Sequence, residues 1–197
     1  MSKSTCSFDG CVNASRARGW CWPHYKQWHR GEEQRPVGYR KPPEERFWSK
    51  FKVAANGCWE WQDSLSLGYG HISLLVDGES SRAPAHRFSY ELAYGPIPDG
   101  ADIDHICHNR ACVNPEHLRA ASRKQNAEHR LGAQINSKTG VRGVYFERKG
   151  RKYIAIVNHH GKRHYVGSFH DLEEASSAVR AKRLELFTHN DEDRKAA

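Results

Sequence analysis

Residues 104–118 read DHICHNRACVNPEHL. Two cysteines, three histidines and two asparagines fall within these fifteen residues. They are metal ligands, catalytic groups, or the polar contents of a loop, and their spacing helps to separate these readings. Cys107, Cys112 and His117 follow the pattern Cys-x4-Cys-x4-His, which puts three soft or borderline ligands in one short segment. Zinc takes four such groups in a tetrahedral shell. Outside an N-terminal set, the one remaining cysteine is Cys58, in NGCWEW. It is the candidate fourth ligand, with a buried core thiol as the alternative reading.

On either side of this stretch the pattern is that of a hairpin followed by a helix. PDGADIDHICHN reads as a turn, a short strand and a loop, and PEHLRAAS as a return strand. SRKQNAEHRL reads as a helix with Ser122 as its N-cap. A strand carrying His105 and a helix carrying Asn126 make a β-β-α unit that can hold one hard cation between them. Asp104 and Asn126 offer oxygen ligands of the kind Mg²⁺ prefers. His105 suits proton abstraction from water near neutral pH. Upstream, RFWSKF reads as a short amphipathic helix, and GCWEW and GYGHISLLV as paired strands. APAHRFSYELAYG reads as a helix with an apolar stripe of Ala85, Phe88 and Leu92, stopped by Gly95 and Pro96.

The remainder of the 197-residue chain divides by composition. Hydrophobic residues make up 38%, which argues against one large core and for small modules held by metals or disulfides. No N-terminal apolar segment resembles a signal peptide, and no run is long enough to cross a membrane. The expectation is a cytoplasmic protein in a reducing compartment, where cysteines mixed with histidines favour zinc over disulfides. The net charge of +8 is uneven: residues 1–43 carry +5, residues 44–137 carry −2, and residues 138–189 carry +6. A polyanion would be gripped at both flanks, leaving the centre free for another task.

Both flanks are patterned. Cys6, Cys11, Cys21 and His24 follow Cys-x4-Cys-x9-Cys-x2-His, which can close a second Cys3His zinc shell. In the C-terminal flank, three short antiparallel strands are expected near 141–147, 152–158 and 163–168. A helix entered through Asp171 follows, with Leu172, Ala175, Val179 and Leu186 on one stripe. Residues 138–163 hold eight Lys or Arg and one acid, Glu147. Strand alternation turns Val144 and Phe146 toward the helix. Arg142, Tyr145, Glu147, Asn158, Arg163 and Tyr165 then face the other way, with Arg148 and Lys152 beside them as further candidates for contact with a polyanion. The expected division is a zinc module at 1–31, a linker at 32–45, a central domain at 46–131, a linker at 132–140, a sheet-and-helix domain at 141–189, and a frayed tail at 190–197. The fold class is α+β, built from small zinc-stapled modules.

DHICHNRACVNPEHL followed by RKQN resembles the HNH endonucleases, and most their His-Cys box relatives among homing nucleases. The lead-in AHRFSYELAYGPIPDGADIDH resembles that of phage-encoded HNH enzymes. The resemblance spans roughly residues 58–130. It implies a ββα-metal nuclease with His105 as general base and Asn114 tying down the loop that bears the base. It also implies Asn126 as metal ligand, structural zinc on Cys58, Cys107, Cys112 and His117, and cleavage to 5′-phosphate and 3′-hydroxyl ends. Asp104 departs from the His-Cys box pattern and matches the metal-holding carboxylate of ordinary HNH enzymes. Arg87 is a candidate for reaching the scissile phosphate. GVRGV, YIAIV, GKRHYVGSF and an Ala-rich helix resemble the AP2 DNA-binding domain, whose sheet lies in the major groove; Glu147 and Ile156 depart from its pattern.

These resemblances imply a DNA endonuclease with two structural zinc ions and catalytic Mg²⁺ or another divalent ion. The implied partner is double-stranded DNA, without a membrane, and the implied state is a monomer or homodimer. If the chain is phage-encoded, its compartment is the host cytoplasm. The alternatives are a DNA-binding regulator that keeps the HNH scaffold without activity, and a zinc-stapled adaptor.

Overall fold

A hairpin of β6 (Asp102–His105) and β7 (Leu118–Ala121), followed by helix α4 (Arg123–Glu128), lies at the centre of the chain. A computed structural model describes residues 4–76 and 79–195. The first three residues of the expected zinc module and the last two of the expected tail lie outside the described residues. The chain divides after Trp48 into two units.

The first unit contains α1 (Trp22–His29) and α2 (Pro43–Trp48). Pro23 sits in the first turn of α1, where its missing N–H costs nothing.

The second unit begins with β1 (Phe51–Val53) paired to β2 (Trp59–Trp61). Next come β3 (Leu65–Ser66), β4 (Tyr69–Val76) and β5 (Glu79–Pro84), an antiparallel sheet in sequence order. Gly70 on β4 makes room for β2, since a Cβ there would fall 2.5 Å from Trp61 Cγ. Helix α3 (Ala85–Tyr94) buries Ala85, His86 and Ser89. The expected stripe of Ala85, Phe88 and Leu92 is therefore rotated, and Leu92 is exposed. The Ser89 hydroxyl sets this face by donating to the Val113 carbonyl at 2.5 Å.

In the hairpin, Asp104 lies opposite Arg119 and His105 opposite Leu118. Ser122 caps α4 through a reciprocal box: its hydroxyl accepts from Gln125 N–H, and Gln125 Oε1 accepts from Ser122 N–H at 2.8 Å. The loop between the two strands pairs with β2, with Val113 N–H donating to Trp59 O at 2.8 Å and Trp61 N–H to Ala111 O at 3.0 Å. That pairing carries Cys58, far away in sequence, to the loop cysteines.

The rest of the second unit is a sheet of β8 (Val144–Glu147), β9 (Lys152–His159) and β10 (Lys162–Phe169), with β9 central. Helix α5 (Leu172–Leu186) covers it, and Asp171 caps α5 by accepting from the N–H groups of Glu173 and Glu174. Val144, Ala155, Val157, Ala175, Val179 and Phe187 form the core between them. Phe146 was expected to turn toward the helix beside Val144. It lies at the strand end beyond the core, 44% exposed, with its ring against Tyr153.

The expected frayed tail is instead a short helix, α6 (Asp191–Lys195), pinned by its charges. Asp193 takes two bonds from Arg183, at 2.6 and 2.7 Å. Arg183 in turn donates to the Arg142 carbonyl at 2.6 Å.

Candidate active site and metal centres

The hairpin and α4 line a cavity of about 430 Å³ with Asp104, His105, Asn126 and His129 among its walls. The hairpin and helix thus bring together the three residues expected to form the catalytic centre. His105 is buried, and its Nε2 lies 3.1 Å from the Cys112 carbonyl. A carbonyl can only accept, so Nε2 carries the proton and the neutral ring keeps its lone pair on Nδ1. Burial pushes the His105 pKa down, and the Cys112 carbonyl, which favours the charged ring, offsets part of that. A neutral ring held this way can accept a proton at Nδ1. Asn126 completes the opposite wall, and among the described residues no protein group hydrogen-bonds its side-chain amide. Its oxygen is left available to a cation.

Asp104 is buried and doubly held. Its Oδ2 accepts from Arg119 Nε at 3.0 Å, and its Oδ1 lies 3.0 Å from His129 Nδ1. The His108 ring stacks on His129 with centroids 4.0 Å apart.

Arg87 is on α3 and does not line this cavity; Arg110, Arg123 and Arg130 do. The Arg110 guanidinium lies over the Tyr69 ring, 5.5 Å from its centroid. Next to Arg87, His86 packs against His105 with ring centroids 4.8 Å apart, and its burial brings its pKa down to about 3. The sequence reading passed over His129 and Arg110. His129 was legible one turn after Asn126 on the same helical pattern. Only tertiary pairing marks Arg110.

Cys58, Cys107, Cys112 and His117 come together, their ligand atoms all within 4.8 Å of one another. A tetrahedron with Zn–S near 2.3 Å and Zn–N near 2.0–2.1 Å has S···N edges of about 3.5 Å and S···S edges of about 3.8 Å. The His117 Nδ1 distances to the Cys58 and Cys112 sulfurs are 3.5 and 3.6 Å. A hydrogen bond from the Cys112 thiol lowers the Cys107 pKa to about 4, while the same contact pushes Cys112 up. Three thiolates this close repel one another unless a cation sits among them. The residues therefore fit zinc. Asn114 braces the loop: its Nδ2 donates to Gly57 O at 2.9 Å, and its Oδ1 accepts from Glu116 N–H at 3.0 Å.

Cys6, Cys11, Cys21 and His24 form a second such group within the first unit. The Cys11 and Cys21 sulfurs are 3.8 Å apart, and His24 Nδ1 is 3.2 Å from the sulfurs of Cys6 and Cys21. His24 Nε2 donates to Arg35 O at 2.9 Å, which turns Nδ1 toward the sulfurs.

On the C-terminal sheet, the strand register puts Tyr145, Asn158, Arg163 and Tyr165 on the face away from α5, and all four are exposed. Glu147 and Lys152 pair across the sheet beside them, and Arg148 is exposed in the following turn. Arg142 is turned elsewhere. Its guanidinium donates to the carbonyls of Ala127, Glu128 and Arg130, each at 2.9 Å. Two of these are free carbonyls in the last turn of α4 and the third lies just past its C-cap, where a cation also complements the helix dipole.

Residues 83–128 match the family model for the HNH endonuclease. Protein 3.8 of Escherichia phage T7 is 32% identical over 97 residues, covering 49% of this chain and 78% of that protein. This chain belongs to the family of that phage protein, and residues 83–128 are its HNH endonuclease domain. The match takes in Asp104, His105, Asn114, His117 and Asn126, and leaves Cys58 and His129 outside it. An uncharacterized gene 5.3 protein of Enterobacteria phage T3 is 46% identical over 59 residues, covering 27% of this chain and 58% of that protein. Protein 2.8 of phage T7 is 33% identical over 84 residues, covering 42% and 55%. The chain thus spans little more than half the length of these two relatives. No solved structure gives a significant match. The two Cys/His clusters of the chain could bind zinc. Among the described residues, no helix is long and apolar enough to cross a membrane.

Proposed function

We propose that the chain is a DNA endonuclease of the homing-endonuclease type, with His105 as general base. Bound by Asp104 and Asn126, Mg²⁺ or a similar divalent ion would neutralise charge developing on the phosphate and the leaving oxygen. The observation that carries the reading is the state of His105: buried, neutral, with Nε2 spent on a backbone carbonyl, in one cavity with Asp104 and Asn126. His105 Nδ1 takes a proton from water, and the resulting hydroxide attacks phosphorus. The bond from phosphorus to the 3′ oxygen breaks, and that oxygen takes up a proton. The products are a 5′-phosphate and a 3′-hydroxyl. Arg110, Arg123 and Arg130 in the same cavity favour a polyanionic occupant.

Two zinc ions on the Cys3His groups would hold the modules in shape. The exposed sheet face with Tyr145, Glu147, Arg148, Lys152, Asn158, Arg163 and Tyr165 is the proposed AP2-like contact with double-stranded DNA. Plasmid nicking in the presence of Mg²⁺ tests the reading. His105→Ala should lower the rate by about 10²- to 10⁴-fold while DNA affinity stays near wild type. A wild-type protein that binds the plasmid and leaves it intact would establish the regulator reading instead.

A further inference from the structure

The C-terminal segment reaches the catalytic hairpin through one carboxylate. Asp191, the first residue of α6, lies 2.8 Å from Arg119 Nη2 and 3.3 Å from His129 Nε2, both through its Oδ2. Arg119 and His129 are the same two residues whose other nitrogens hold Asp104. The four side chains close a ring: Asp104, Arg119, Asp191, His129. All three atoms on the Asp191 side of the ring are shut off from solvent, and they meet as ion pairs rather than as aligned hydrogen bonds. Without Asp191, the outward nitrogens of Arg119 and His129 would be buried without an anion, and each would keep Asp104 as its one charged partner in the ring. None of the residues lining the catalytic cavity comes from the C-terminal segment. The segment therefore leaves the cavity open and acts on its wall.

We infer that Asp191 is a positioning residue for Asp104, so that the centre holds its cation well only while the C-terminal segment is docked. The inference rests on the nuclease reading for the role of Asp104. The segment is built to stay in place. Asp193 grips Arg183 with two bonds. Thr188 donates through its N–H to the buried Glu128 carboxylate at 3.0 Å. Because α5 and α6 follow the exposed basic sheet directly in the chain, Asp191 also ties the proposed DNA-holding domain to the cutting centre.

The test uses the full-length, zinc-loaded protein and three measurements: Mg²⁺ binding by calorimetry, nicking rate against Mg²⁺ concentration, and thermal unfolding. Asp191→Asn should weaken Mg²⁺ binding about 10-fold, as loss of an outer-shell partner does, and should raise the half-saturating Mg²⁺ by the same factor. The rate at saturating Mg²⁺ should change little. Asp191→Glu should recover most of the loss. Glu185→Gln, exposed on α5 and paired with Lys182, is the control and should behave as wild type. Unchanged Mg²⁺ binding in Asp191→Asn overturns the inference, as does a loss that only follows a lowered unfolding temperature. A wild-type protein that binds Mg²⁺, loses that binding in Asp191→Asn, and cuts no DNA sinks the nuclease reading while the positioning role stands.

Discussion

The two walls of the candidate active site are held by different forces. On one wall, His105 takes its orientation from the Cys112 carbonyl, and Cys112 belongs to the Cys58–His117 cluster. On the other, Asn126 sits on a six-residue helix held by hydrogen bonds: a capping box at its start and the Arg142 guanidinium at its end. So short a helix is unstable alone, and its geometry depends on what grips its two ends. On the proposed reading the base is held by the Cys58–His117 cluster and the cation ligand is clamped by hydrogen bonds, so each wall can be loosened without direct attack on the other.

The largest expected effect is on the stapled wall. Cys112→Ser should remove zinc from the central cluster and with it on the order of 10 kcal/mol of folding free energy, as structural zinc supplies in small domains. Nicking should disappear together with the cooperative unfolding of the HNH domain. Cys11→Ser strikes the N-terminal cluster, which shares no residue with either wall, and nicking on plasmid at low salt should persist. Zinc content by mass spectrometry, read beside nicking, checks both. Equal loss of activity in the two variants would break the division.

The clamped wall is tested by Arg142→Ala. Three carbonyls at the end of α4 lose a charged donor at once, which should cost about 2–4 kcal/mol of stability and raise the Mg²⁺ requirement. The sequence suggested a different role for Arg142, as a base- or phosphate-contacting residue. Such a role would leave stability unchanged and flatten the salt dependence of DNA binding by about one unit of slope. Denaturant unfolding and a salt series on the same variant separate the two.

That contrast marks where the sequence was readable. The hairpin, the Cys107–His117 spacing and the capped helix follow from short intervals, since ligand spacing, an N-cap serine and strand alternation are all local. Cys58 was reachable only because six cysteines divide into two sets, and the pairing of β2 with the loop is what delivers it. Arg142 lay beyond such reasoning because alternation says which face a side chain leaves and is silent on a helix end waiting across the gap. The tail was misread for the same reason. HNDEDRKAA has the composition of a frayed end, yet Arg119, His129 and Arg183 are already placed to receive its carboxylates.

The smallest effect sharpens the comparison at the other end of α4. Ser122→Ala removes the hydroxyl that accepts from Gln125 N–H and breaks the reciprocal box, a loss of about 1 kcal/mol in typical cases. A cap lies at the far end of the helix from Arg142, so the two should act on Asn126 separately. In the double variant with Arg142→Ala, the stability losses should add within about 0.5 kcal/mol if the ends are gripped independently. A larger coupling would mean that α4 moves as one rigid piece, so that loosening either grip releases Asn126 entirely. Zinc content must stay at wild type throughout, because neither variant touches the stapled wall.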